Sequence, residues 1–287
     1  MKNPYFKRLT RRWRAQRAWK ILGDHGIGIL SESKNGVLAV QPGDFNVSRA
    51  LIAHGEYDWP QISWLVPIIG ANARIVFAGA HLGAVLVPIV RLVVPRSVIA
   101  YEPSPRNFRL LNLNLLMNRL DQVIAWPIAL GEKPGSVRFT ENRINTGNSR
   151  VAAGSGEIQV DRDTLDRTLP PEWDSVDLII MDVEGSEVFA MRGAAATLAK
   201  TQHLYVEYAP DQLREQGSSA EEFVTTAAQF FQSAYVFGER VTFLGPDRFA
   251  RELIARQHER GLLLNVLFSH DLAPDPKLLE NPKILKS

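Results

Sequence analysis

Cysteine is absent from the 287 residues. That excludes disulfides, thiolate metal sites and cysteine nucleophiles. Long hydrophobic runs are missing as well. The most apolar stretch, residues 84–100, is broken by Pro88, Arg91, Pro95 and Arg96. It falls short of the roughly 18 apolar residues that a membrane-spanning helix needs. No apolar segment with a small-residue cleavage site follows the first basic residues, so no secretory signal is expected and cytoplasmic is the default location. Acids are missing from the first twenty residues, where Lys2, Lys7, Arg8, Arg11, Arg12, Arg14, Arg17 and Lys20 are all basic. With a net charge of +2 overall, the remaining chain is therefore net acidic.

Residues 5–22 can form a helix carrying Phe6, Leu9, Trp13 and Trp19 among these arginines and lysines. Such a helix can dock on its own domain, or lie on an anionic membrane surface or another acidic partner. Nucleic acid is not an expected partner, because no recognisable nucleic-acid module accompanies it. The expected location is thus cytoplasmic, with residues 1–20 available for contact at a membrane periphery.

The central unit reads RIVFAGAHLGA, then VLVPIVRLVVP, then SVIAYEP. Residues 75–78 are a short, fully apolar run, as a strand buried on both faces of a parallel sheet requires. A turn containing Gly79 and Gly83 follows, then a helical run over 82–94 and a second buried strand over 98–101. This strand ends at Glu102, 23 positions after Gly79. The layout is that of a nucleoside half-site, with an acid placed to grip ribose hydroxyls. The dinucleotide pattern needs a middle glycine that GAHLG lacks, so a nicotinamide cofactor is disfavoured.

Around this unit the chain predicts a small strand over 36–41 and helices over 47–53 and 59–69. These lead into the core and form a cap that shapes a substrate entrance. A helix capped by Ser104 runs to about Asn118. A strand over 122–129 follows, then short polar strands over 136–140 and 157–160. The apolar run VDLIIMDV at 176–183 precedes a helix to about Ala199, and a strand covers 202–208. Further helices are expected over 218–232 and 247–257, with strands over 234–237 and 262–269. The division is an N-terminal basic helix and cap over 1–70, an α/β domain over 71–270, and a loose tail over 271–287. Alternating strands and helices imply a mostly parallel sheet with helices on both faces and a ligand beyond the carboxyl ends of the strands. The residues at those ends are 79–81, Glu102, Ala129, Asp182 to Gly185, and Glu207.

The ordered segments GAHLG, VIAYEPSPRNFRLLNLNLLMN, IALGE, GNS, TLD, DLIIMDVEGSEVFAMRGA and LYVEY resemble the FkbM-type methyltransferases. The resemblance implies a Rossmann-like class I fold with a seven-stranded sheet. It also implies S-adenosylmethionine as cofactor, and usually an oxygen as methyl acceptor on a small molecule, sugar or lipid. Carried to matching positions, Gly79, Ala80 and Gly83 would approach the methionine end of the cofactor and Glu102 would hold its ribose. Asn118 and Ala129 would lie toward the adenine, and Asp182, Glu184 and Glu187 would form an acidic turn beside the reacting centre.

The chain departs from the family pattern in having Phe77 where an Asp is usual, His81 where Asn is usual, and Ile180 where Lys is common. Asp182 is then expected to compensate for the acid missing at position 77. Removal of a proton from the acceptor requires a base, with His81, Asp182 and Glu207 as candidates. Asp182, Glu184 and Glu207 sharing a divalent cation is another option. Two other functions stay open: a cofactor-binding scaffold without turnover, and a membrane-surface protein acting through its basic helix.

Overall fold

The computed structural model describes residues 26–142, 145–152 and 156–279. The predicted basic helix lies outside the described residues. A two-stranded hairpin, β1 (Gly28–Leu30) and β2 (Leu38–Val40), leads into helices Val47–His54 and Trp59–Leu65. The principal sheet is built from β3 (Arg74–Ala78), β4 (Ser97–Tyr101), β5 (Val123–Trp126), β10 (Val176–Met181), β11 (Thr201–Tyr208), β12 (Ser233–Phe237), β13 (Thr242–Leu244) and β14 (Leu264–Ser269). A second sheet contains β6 (Ala129–Leu130), β7 (Gly135–Thr140), β8 (Arg150–Val151) and β9 (Ile158–Asp163).

The principal sheet runs β13-β12-β14-β11-β10-β3-β4-β5. It is parallel across β11-β10-β3-β4-β5, and β14 runs antiparallel between β11 and β12. The order reverses at β3 and β10, the switch point where a doubly wound sheet opens a crevice for ligand. This is the mostly parallel, Rossmann-like class I arrangement, with eight strands instead of the expected seven because β13 is added at one edge. Burial of β3 on both faces explains its unbroken apolar run. Ile75 and Phe77 join the core on one side, and Val76 and Ala78 the core on the other. Each fully buried side chain of this size contributes about 1.5–3 kcal/mol.

Four local differences from the sequence reading have simple causes. The helix expected over 82–94 begins only at Leu86, because His81 and Gly83 are left-handed and the chain turns there first. The strand expected over 122–129 divides at Pro127, which cannot donate to a ladder. The helix expected to reach Ala199 is interrupted at Gly193, where a Cβ would come within 2.0 Å of the Gly131 carbonyl oxygen. The tail is tied down as far as described: Leu278 is buried and the Asp275 N–H donates to the Tyr235 hydroxyl at 2.7 Å. Among the described residues, no helix is long and apolar enough to cross a membrane.

Asn114 on helix Pro105–Met117 and Asn118 at its C-cap bind the N-terminal segment to that helix. Asn114 accepts from the Ala39 N–H at 2.6 Å and donates to the Ala39 and Leu82 carbonyls. One turn on, Asn118 accepts from the Val37 N–H and donates to the Val37 and Asn114 carbonyls. Buried Asn35 completes the fastening, bonding Tyr57 through both its N–H and its carbonyl and donating also to the Ala84 carbonyl. These bonds hold Tyr57 and Asp58 over the carboxyl ends of the central strands, where both line the cavity.

Candidate active site

A cavity of about 360 Å³ opens at those strand ends. Its centre is the turn after β3. The Gly79 and Ala80 N–H groups both donate to the Tyr101 carbonyl at 2.9 Å, which pins the turn to β4. On the opposite side, a Cβ at Gly79 would lie 1.8 Å from the Asp182 carbonyl oxygen. The glycine is therefore required by the close approach of β10, at φ +84°. Gly83 does not reach the cavity, and a Cβ there would touch Leu111 and Val87 instead.

Glu102 follows β4 and is 5% exposed. Its Oε2 accepts from the His81 N–H at 2.8 Å and its Oε1 from the Ser104 N–H at 2.9 Å. Burial pushes its carboxyl up to about 7, against the lowering effect of these N–H groups and of Asn107. His81 faces the other way, with Nε2 2.8 Å from the Thr146 hydroxyl. Burial pushes the imidazole down to about 4, so it is neutral at physiological pH. Thr146 in turn donates its N–H to Asp44 at 3.0 Å, which ties the loop over the site to the N-terminal segment. Burial pushes the Asp44 carboxyl up, yet the N–H groups of Ser48, Thr146 and Asn46 outweigh it and leave it below the ordinary range.

Carboxyls from three parts of the chain meet on the other wall. Asp182 and Glu184 follow β10, Glu207 lies on β11, and Asp58 precedes helix Trp59–Leu65. Asp182 opens onto the cavity while protein surrounds it. Burial, then the charge of Asp58, lifts it to about 6. Glu184 and Glu207 are lifted to about 9, first by burial and then by Asp182. Tyr205, two residues before Glu207 on β11, is 7% exposed, and its hydroxyl has no hydrogen-bond partner. Among the described residues, no group of three His, Asp or Glu side chains is placed to hold a metal ion.

The cavity thus brings together Gly79, Ala80, His81, Glu102, Ala129, Asp182, Glu184 and Glu207. It does not bring in Asn118, whose side-chain amide is spent on Val37 and Asn114. Glu187 also stands outside, accepting from the Val183 and Gly185 N–H groups and so shaping the acidic turn. Asp58, Tyr57, Asn107, Thr146 and Tyr205 were not anticipated as site residues. Asn107 carried a weak signal, being a polar residue one turn after the EPSP segment, whereas Asp58 and Tyr57 belong to no motif.

The sheet order, the reversal at β3 and the carboxylate after β4 define the class of S-adenosylmethionine-dependent methyltransferases with a Rossmann-like fold. Within that class the chain belongs to the FkbM methyltransferases, since a model of the methyltransferase FkbM domain matches residues 78–237. S-adenosylmethionine is accordingly its cofactor. A 2-O-methyltransferase, NoeI of Sinorhizobium fredii, is 28% identical over 138 residues, covering 41% of this chain and 56% of the relative. The match therefore spans just over half of that relative's length. Among solved structures, TYW2 of M. jannaschii in complex with AdoMet aligns over 81% of this chain and 80% of its own, at 14% identity and a TM-score of 0.43. A SAM-dependent O-methyltransferase from Thermotoga maritima aligns over 83% and 74%, at 13% identity and a TM-score of 0.41.

Proposed function

We propose that this chain transfers the methyl group of S-adenosylmethionine to a hydroxyl oxygen of a small molecule, a sugar or a lipid. The observation carrying this reading is that one cavity joins a buried carboxylate suited to ribose with an opposing wall of carboxyls of unequal basicity. Similarity to a 2-O-methyltransferase supports oxygen as the acceptor atom.

The residues present fit the cofactor. A carboxylate offers about four acceptor positions, and the two N–H groups and Asn107 leave Glu102 room for a ribose hydroxyl. Charge-assisted bonds of this kind are the stronger ones. The cofactor supplies a sulfonium-bound methyl group, which is displaced in line by the acceptor oxygen. Asp182, ionised at neutral pH but more basic than an ordinary carboxylate, takes the acceptor's proton. General-base help of this sort is worth about 10²–10⁴-fold. Glu207, protonated at neutral pH in the free protein, lines the same wall and orients the acceptor. His81 does not act as the base, because burial has made it too weak, and it serves Glu102 through its backbone N–H.

Incubation with methyl-labelled S-adenosylmethionine and a panel of hydroxylated sugars, lipids and small alcohols tests this reading. Label recovered as O–CH₃ is the expected result. Label on nitrogen or carbon, or no transfer while the cofactor binds, would overturn it.

A further inference from the structure

We propose that the acceptor is an amino alcohol, with a protonated amine beside the hydroxyl that is methylated, and that Asp58, Glu207 and the Tyr205 hydroxyl hold the amine. The inference rests on the methyltransferase reading and specifies its acceptor.

The first observation is charge. Among the described residues, the cavity is lined by Asp58, Glu102, Asp182, Glu184 and Glu207, and by a single lysine or arginine, Arg150. Arg150 is paired with Glu215 at 2.9 Å and also acts on Glu184. The carboxyls come from four parts of the chain, so the fold brings five of them together with one cation, Arg150, among the described residues of the lining. Gathering them costs stability unless the charge is neutralised or a ligand supplies the opposite sign. The cofactor, with one ammonium, one sulfonium and one carboxylate, brings a single net positive charge. With Asp182 assigned to that charge, Asp58 remains for the acceptor, and Glu184 and Glu207, which keep their protons in the free protein, can release them against a second cation.

The second observation is independent of charge. Tyr205 is 93% buried by its 7% exposure, lines this part of the cavity, and has a hydroxyl without a partner. Gln61, also on the cavity wall, has a buried side-chain oxygen Oε1 that accepts no hydrogen bond. A buried polar atom left unpaired costs about 1–3 kcal/mol, and two such oxygens on residues lining the cavity mark where a ligand donor belongs. An ammonium has three donors and no acceptor, which suits oxygens on Asp58, Glu207, Gln61 and Tyr205. Below the oxygens lie Phe77, Ile180 and the ring of Tyr205, partners in one register row, which give the carbon skeleton an apolar floor.

The test uses the full chain with S-adenosylhomocysteine present to prevent turnover. Paired probes are titrated at pH 7: glucosamine against glucose, and ethanolamine against ethylene glycol. The cationic member of a pair should bind at least about tenfold more tightly. Asp58→Asn and Glu207→Gln should each remove most of that preference, with circular dichroism confirming the fold. Equal binding within each pair, or preference for the neutral member, overturns the proposal. If S-adenosylhomocysteine still binds in that case, only the acceptor assignment fails. If it does not bind, the methyltransferase reading fails with it.

Discussion

Phe77 and Ile180 are register partners across β3 and β10, and both side chains belong to the same core and line the cavity. These are two of the positions at which the chain departs from the pattern it resembles, where Asp and Lys are usual. The two departures are therefore one. An acid and a lysine on neighbouring strands would neutralise each other, and Phe and Ile need no such partner. Exchanging a buried ion pair for apolar packing is often neutral or stabilising. We propose that the two positions changed together, so that Asp182 need not replace the acid absent at position 77. Phe77→Asp by itself should cost about 3–5 kcal/mol as an unpaired buried charge. Adding Ile180→Lys should recover more than about 1 kcal/mol of that loss in urea unfolding. Additive losses would contradict the pairing.

Gly79 and Gly217 share φ +84° but differ in their surroundings. A Cβ at Gly79 would run into the Asp182 carbonyl oxygen, and one at Gly217 would meet open space. Gly217→Ala should cost only the backbone strain, about 1–2 kcal/mol. Gly79→Ala should cost several kcal/mol and lower the yield of folded protein. Thermal denaturation of the two variants separates backbone strain from collision, and equal losses would refute the collision.

Asn118 was expected beside the adenine, yet it fastens Val37 to the helix. Asn118→Ala should destabilise the protein by about 1–3 kcal/mol, the cost of leaving buried backbone groups unpaired. Affinity for S-adenosylmethionine in the folded variant should stay within about twofold. A large affinity loss at unchanged stability would return Asn118 to the binding site.

The acidic wall should make stability fall as pH rises. Glu184 and Glu207 are lifted from 4.5 to about 9, first by burial, so the folded protein keeps protons that the unfolded chain has released. Stability then decreases with pH across that interval. Between pH 5 and 7 the lowered His81 opposes the trend, because its unfolded form binds a proton there. The decline is therefore clearest from pH 7 to 9. Melting temperatures at both pH values should show it, and Glu207→Gln should flatten it. A flat profile for the unaltered protein would remove the acidic cluster as a cause.

The fold was legible because its signals were local. Short apolar runs at β3, β4 and β10, each followed by a turn or an acid, require burial on both faces and leave few alternatives. Glu102 and Asp182 stand where such runs end, and both line the cavity. What the sequence hid was long-range. Asp58 and Tyr57 enter the cavity because Asn35 ties Tyr57 to Ala84, 49 residues from Asn35 along the chain. Gly83 and Asn118 looked like ligand contacts, although their roles are packing against Leu111 and bonding to Val37. Neither role is visible until the helix Pro105–Met117 is placed against β2.

The central claim is that the cavity beyond β3 and β4 holds S-adenosylmethionine with its ribose on Glu102. Calorimetric titration of the full chain and of Glu102→Ala with S-adenosylmethionine tests it most directly. The account predicts one site in the full chain and an affinity reduced by about 10- to 150-fold in the variant, equivalent to about 1.5–3 kcal/mol for hydrogen bonds to a charged group. Equal affinity in a folded Glu102→Ala protein, or no binding to the full chain, would contradict it.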